Sequence, residues 1–160
     1  MNLPDFSPVA VNAYIHWVYS EKVLSLPEVF WQQTADVSDN HELLAYVTLY
    51  LLADYLDDNH LRVAILDTII TKLEAWKAVP GSFVCQKIWE GTPKGSPLRS
   101  VVLEWLSRRQ SPSNFAKSMG DHSKDFLEEM AVFLIQRAAY SKRETPEEFA
   151  ARVRAQLLSK

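Results

Sequence analysis

Few side chains suited to chemistry occur in this chain, and their spacing decides how far they can act together. Four histidines, His16, His41, His60 and His122, stand beside a single cysteine, Cys85. No histidine has a zinc-type spacing to a second His or Cys, so the expectation is a chain without a bound metal. The tightest acidic cluster is Asp54, Asp57 and Asp58 with His60. It could offer oxygen ligands, but the regular spacing of a calcium loop is missing. It also falls between two helical stretches, where Asp58 or Asn59 has the simpler task of capping the second one. Cys85 has no histidine fixed near it and reads as a small apolar residue on a buried helix face rather than as a nucleophile. The segment Gly91-Thr92-Pro93-Lys94-Gly95-Ser96 lacks the spacing of a phosphate cradle, and no dinucleotide fingerprint, P-loop or nucleophile elbow occurs. Catalytic residues and cofactors are therefore expected to be absent, and the chain is read as a non-enzyme.

These residues must be held by something, and composition limits what. The 160 residues are 48% hydrophobic and 23% charged, the balance of one ordinary globular domain. The longest apolar run, Leu43 to Leu56, is interrupted by Asp54, so no membrane span is expected. The first ten residues have no secretory pattern, and one cysteine forms no internal disulfide, which together point to an intracellular protein of the cytoplasm or nucleus. Net charge is −3, of the wrong sign for general affinity to nucleic acid. Residues 1–80 carry −7 and residues 81–160 carry +4. This suits either a basic partner surface in the second half or two halves packing against each other with complementary fields, and Arg99, Arg108, Arg109, Arg137, Lys142, Arg143, Arg152 and Arg154, mixed with Glu144, Glu147 and Glu148, read as a solvated surface. Trp17, Trp31, Trp76, Trp89 and Trp105 mostly fall at core-facing positions rather than on a base-stacking platform.

The fold expected is all-α, a single domain of about seven helices. Ser7-Pro8, Ser96-Pro97 and Thr145-Pro146 are helix starts, since a hydroxyl accepts from orphan N–H groups and Pro at the first position loses no partnered donor. Glu148 completes a capping box with Thr145, before Phe149, Val153 and Leu157. Helices are expected over residues 8–19, 40–57, 59–78, 83–89 with Ser82 as cap, 97–109, and from Ser123 to about Tyr140. One short strand is expected at 23–26, and a loop at 27–40. The stretch with Pro112 and Gly120 is read as mixed. Residues 40–57 have almost no polar face, which marks a central helix.

Two blocks carry a resemblance. PVAVNAYIHWVYSEKVLSL and ELLAYVTLYLLADYLDDNHLRVAILDTIITKL, within residues 6–74, resemble the C-terminal half of a BTB/POZ domain, in which a helix and a strand lead to a helical hairpin marked by Leu49-Tyr50, Leu52-Ala53-Asp54, Leu56, Leu61, Ala64 and Asp67. IWEGTPKGSPLRSVVLEWL and KDFLEEMAVFLIQR are similar to the stretch that follows this fold in fungal BTB proteins. The resemblance implies residues 1–80 as a partial BTB-like segment and residues 81–160 as a helical extension packed on it, in one compact domain. The strands and helices that open a whole BTB domain have no counterpart here. Most of the cullin-binding surface and the dimer surface lie in that part, so a cullin scaffold is not simply carried over as a partner.

What the resemblance implies is a protein-interaction module, used as an adaptor in ubiquitin ligation or transcription. The alternative is a small helical ligand-binding protein or enzyme, with a pocket where the missing strands would lie. At 100° per residue the first helix has two apolar faces, Val11, Tyr14, Ile15 and Val18 on one and Val9, Ala13 and Trp17 on the other. Val9, Ala13 and Trp17 are the candidate interaction face, because elements absent here would cover them in a whole BTB domain. Their cover is expected from the C-terminal helices, a second copy or another protein partner.

Overall fold

A computed structural model describes residues 6–23, 39–76 and 79–139, together with 145, 148, 151, 152 and 155. Every regular element among them is helical: α1 (Pro8–Ser20), α2 (Asp39–Tyr55), α3 (Asn59–Trp76), α4 (Ser82–Gly91), α5 (Pro97–Arg109), α6 (Pro112–Ser118) and α7 (Lys124–Ala139), with a 3₁₀ turn at Met119–Asp121. The all-α expectation holds. Of the strand expected at 23–26 only Val23 is described, and it belongs to neither helix nor strand; the rest, Trp31 and most of the 27–40 loop lie outside the described residues. The chain divides into two compact units, residues 1–72 and 73–160.

In the first unit α1 packs against α2. Ser7 caps α1, its Oγ accepting from the Ala10 N–H at 3.3 Å. The helix ends on Glu21 in the left-handed conformation, whose N–H donates to the Trp17 carbonyl at 2.8 Å. α2 buries Leu43, Ala45, Tyr46, Val47, Leu49, Tyr50, Leu52 and Ala53, while Leu51 is half-buried. It closes in a Schellman-type turn: Asp57 takes a left-handed φ of 55°, and the Asp58 N–H reaches back to the Ala53 carbonyl at 2.9 Å. α3 then buries Leu61, Ile65 and Ile69 on the stripe that the sequence spacing implies, joined by Leu66.

The second unit is built around α5. From Leu98 to Leu106 every residue except Ser100 is buried. α4 and α7 both pack on α5 and on each other. α4 contributes Val84, Cys85, Ile88 and Trp89, and α7 contributes Phe126 and Met130. α4 begins at Ser82 itself with Gly81 in the cap position, so Ser82 is not the cap. The Gly91–Ser96 turn needs Gly95, whose φ of +80° an L side chain rarely adopts. Residues 112–118, read as mixed, form α6, with Ser111 Oγ accepting from the Asn114 N–H at 3.2 Å. Ser123 caps α7 through the Phe126 N–H at 3.3 Å. The capping box forms in both directions: Thr145 N donates to Glu148 Oε2 at 2.8 Å, and Glu148 N to Thr145 Oγ1 at 3.2 Å.

Candidate interaction surface

The two faces of α1 differ in cover. Ala13 is 2% exposed, and Val9 and Trp17 are half-buried. Val11, Ile15 and Val18 are 39, 47 and 57% exposed, and Tyr19, beside them, is 87% exposed. Spacings of four, three and one place these four on one arc, roughly 100° wide at 100° per residue. Ala10 and Ala13 point to the opposite side and are buried, the small side chains allowing close approach of the packed backbone. Hence α1 keeps an exposed apolar strip at Val11, Ile15, Val18 and Tyr19, distinct from the partly covered Val9, Ala13 and Trp17 face. A second exposed apolar group lies on α7, where Val132, Leu134 and Ile135 are 52, 43 and 68% exposed.

The groups considered for chemistry are placed in other work. Asp58 Oδ1 accepts from the Leu61 N–H at 2.9 Å, the capping role. Asp54 pairs with Arg62, and Asp57 lies 3.5 Å from the same guanidinium, which Asn59 also meets. The acidic cluster thus surrounds an arginine, and His60 is exposed beside it. Among the described residues no group of three or more His, Cys, Asp or Glu side chains is placed to hold a metal ion. Cys85 is 1% exposed with its Sγ 4.0 Å from the Pro80 carbonyl oxygen, and burial pushes the thiol up to about 12. At neutral pH it is a thiol packed among apolar atoms, not a nucleophile.

Arg99 corrects the reading of the arginines as a solvated surface. It is 6% exposed, stacks 5.1 Å from the Trp89 ring, and pairs with Glu129 of α7. It donates to the Thr92 hydroxyl at 3.0 Å, to the Trp89 carbonyl at 2.8 Å, and to the Thr92 carbonyl. The Thr-Pro-Lys-Gly-Ser-Pro-Leu-Arg segment is therefore a tie between the end of α4, the start of α5 and α7. Arg108 and Arg137 converge in the same way on Glu104, itself 9% exposed, and Arg137 also meets Ser107. Glu104 and Arg108 form an i,i+4 pair within α5, but no pattern within one helix announces the Arg99–Glu129 partners, which are 30 residues apart.

Beside this tie lies an open cleft of about 450 Å³ between α4 and residues 120–125. The His122 ring stacks on Phe126 at 4.3 Å and on Phe115 at 5.8 Å. Burial lowers its pKa from the ordinary value, partly opposed by the charge of Asp121. No described helix is long and apolar enough to cross a membrane. No protein-family model, no curated protein and no solved structure matches this chain.

Proposed function

We propose that the chain is a non-enzymatic protein-interaction module related to the helical half of the BTB/POZ fold, and that α1 presents the contact. The observation that carries this reading is the exposed strip of Val11, Ile15 and Val18 beside Tyr19. An apolar helix stripe left in water is what helix-in-groove recognition uses, with anchors spaced by three and four. The BTB relationship rests on the sequence blocks within residues 6–74 and 88–137. An adaptor role in ubiquitin ligation or transcription is the use that relationship implies, with a protein partner or a second copy as occupant.

The experiment compares two charge insertions by solution mass and by pull-down from the source cells, with thermal melting as a control. Ile15→Glu with Val18→Glu should abolish association, while stability changes little, since exposed substitutions usually stay within about 0.5 kcal/mol. Trp17→Glu probes the face first suggested by the sequence. Because Trp17 is half-buried and Ala13 beside it is fully covered, that change should act mainly on stability. Association untouched by the double variant and lost with a stably folded Trp17→Glu would move the contact to the Val9, Ala13 and Trp17 face. No association in the wild type at all would remove the interaction reading.

A further inference from the structure

Ser7, Thr92, Ser96, Ser111 and Thr145 each stand directly before a proline. Thr92 and Ser96 are 6 and 7% exposed, out of reach of an enzyme acting on the folded chain. Ser7 has no Lys or Arg before it, and Thr145 has both its hydroxyl and its backbone N–H tied to Glu148. Ser111 differs from all of them. It is exposed, and Arg108 and Arg109 precede it by three and two residues in the order Arg-Arg-Gln-Ser-Pro. Capping α6 uses the serine and not the arginines, and the pair with Glu104 uses Arg108 and not the serine. Neither contact calls for the two at this spacing.

The backbone there is already shaped for another enzyme's groove. Gln110 and Ser111 are extended, with φ and ψ of −79° and 128° and of −72° and 146°, between the last turn of α5 and the first of α6. Pro112 keeps Ser111 out of the helical region, so the acceptor need not be unwound before it is presented. α6 has no buried residue, and the segment beyond Ser111 can yield without opening the core. The Ser111 hydroxyl has local contacts, the Asn114 N–H at 3.2 Å and the Ser113 Oγ at 3.2 Å. Arg109 is exposed over the Trp105 ring, 5.1 Å from its centre. Arg108 is held by Glu104, but Glu104 also has Arg137 at 3.1 Å. Arg108 can therefore turn to carboxylates of a partner, which its planar fork suits, without stranding Glu104.

We propose that Ser111 is the acceptor of a protein kinase whose acidic groove reads Arg108 and Arg109. The Ser111 Oγ bonds to the γ-phosphorus of ATP, the bond from that phosphorus to the bridging oxygen of the ADP leaving group breaks, and the hydroxyl proton passes to a carboxylate of the kinase. The products are ADP and a phosphoserine, which adds about −1.5 to −2 charge at neutral pH. The site is separate from the α1 strip, so its failure leaves the reading of that strip standing.

The test gives the full folded chain ATP and a purified arginine-directed serine kinase that accepts proline after the acceptor, and reads intact mass, rate and phosphopeptide map. A free peptide of residues 105–116 serves as the reference. One phosphate should enter the chain, on Ser111, at a rate within a few-fold of the peptide. Ser111→Ala should abolish incorporation, and Ser113→Ala, at an exposed serine without an arginine three residues before it, should leave it unchanged. Arg108→Gln should slow the reaction about tenfold in chain and peptide alike, an equality that a merely structural role of Arg108 would not produce. Chain isolated from its source cells under phosphatase inhibition should carry phosphate on Ser111. The proposal is overturned if the peptide is modified but the folded chain is not, or if neither is. It is equally overturned if incorporation survives Ser111→Ala, if Arg108→Gln leaves the peptide's rate unchanged, or if Ser111 from the cells carries no phosphate.

Discussion

α2 and α5 are both enclosed helices, but they are enclosed by different means. α2 fills its surroundings with aliphatic and tyrosine side chains, and its one buried charge, Glu42, sits in the first turn, 2.8 Å from Lys72 and 3.3 Å from the Tyr46 hydroxyl. α5 carries two buried charges in its length, Arg99 and Glu104, each answered from α7. An apolar interior is tolerant: many combinations of volume fill it nearly as well. A buried ion pair is intolerant, because only one register of the two helices satisfies both partners. Around α2 the ion pairs to α3 lie at its two ends, Glu42 with Lys72 and Asp54 with Arg62, whereas α5 carries its charge pairs within the buried stretch itself.

The largest effect should follow from breaking that pairing. Arg99→Leu leaves Glu129, with its side chain 12% exposed, without a counter-charge and strips the Trp89 and Thr92 carbonyls of a donor. Urea unfolding should show a loss of about 3–5 kcal/mol, the usual cost of orphaning one partner of a buried pair. Glu129→Leu should cost less, since the guanidinium keeps three uncharged acceptors. If it costs more, the carbonyl contacts are incidental and the ion pair alone carries the tie.

A smaller and more uniform loss is expected in the apolar unit. Leu52→Ala, at a residue 2% exposed, should cost about 2–5 kcal/mol through lost burial and an unfilled cavity. Leu52→Met should recover most of this, because volume is nearly conserved. At Arg99 the corresponding swap to Lys should recover little, since an ammonium cannot reproduce the fork of contacts. Equal recovery at both sites would erase the distinction between the two helices.

The same contrast explains what could be read from the sequence. Helix starts were legible where a local rule applies, as at Ser7, Asp58, Ser123 and the Thr145–Glu148 box, because the cap and the N–H that donates to it lie within three residues. The stripes of α2 and α3 were legible because apolar periodicity is local too. α6 was not, despite its Ser-Pro start, since seven residues holding one large apolar side chain, Phe115, show no period. The burial of Arg99 was not legible either: a charge reads as solvent-facing unless its distant partner is known. For α1 the helix and its two apolar faces were legible, but not how far each face is covered. Both faces are apolar, and what decided between them was that Ala10 and Ala13 are small enough for close packing against α2.

The smallest effect concerns the His122 ring, which clusters with Phe115 and Phe126 in the second unit. Its pKa lies below the ordinary 6.5, chiefly through burial and against the raising effect of Asp121. Glu90 and Asp125 are the other carboxylates lining this cleft. A lowered histidine pKa means that between 6.5 and the folded value the unfolded chain binds a proton that the folded chain does not. Its contribution to stability is then full above 6.5 and is lost as pH falls below that value, levelling off once the folded ring also titrates. His122→Phe keeps a ring against Phe115 and Phe126 but cannot take up a proton. Melting temperatures of wild type and variant should therefore run parallel from pH 8 to about 7 and diverge below 6.5, with the wild type falling faster. Amide exchange should place the acid loss at the start of α7, where Phe126 holds the ring, and leave α2 unaffected. Parallel profiles down to pH 5, or a loss centred on α2, would show that the stacked ring does not contribute this acid sensitivity to the second unit.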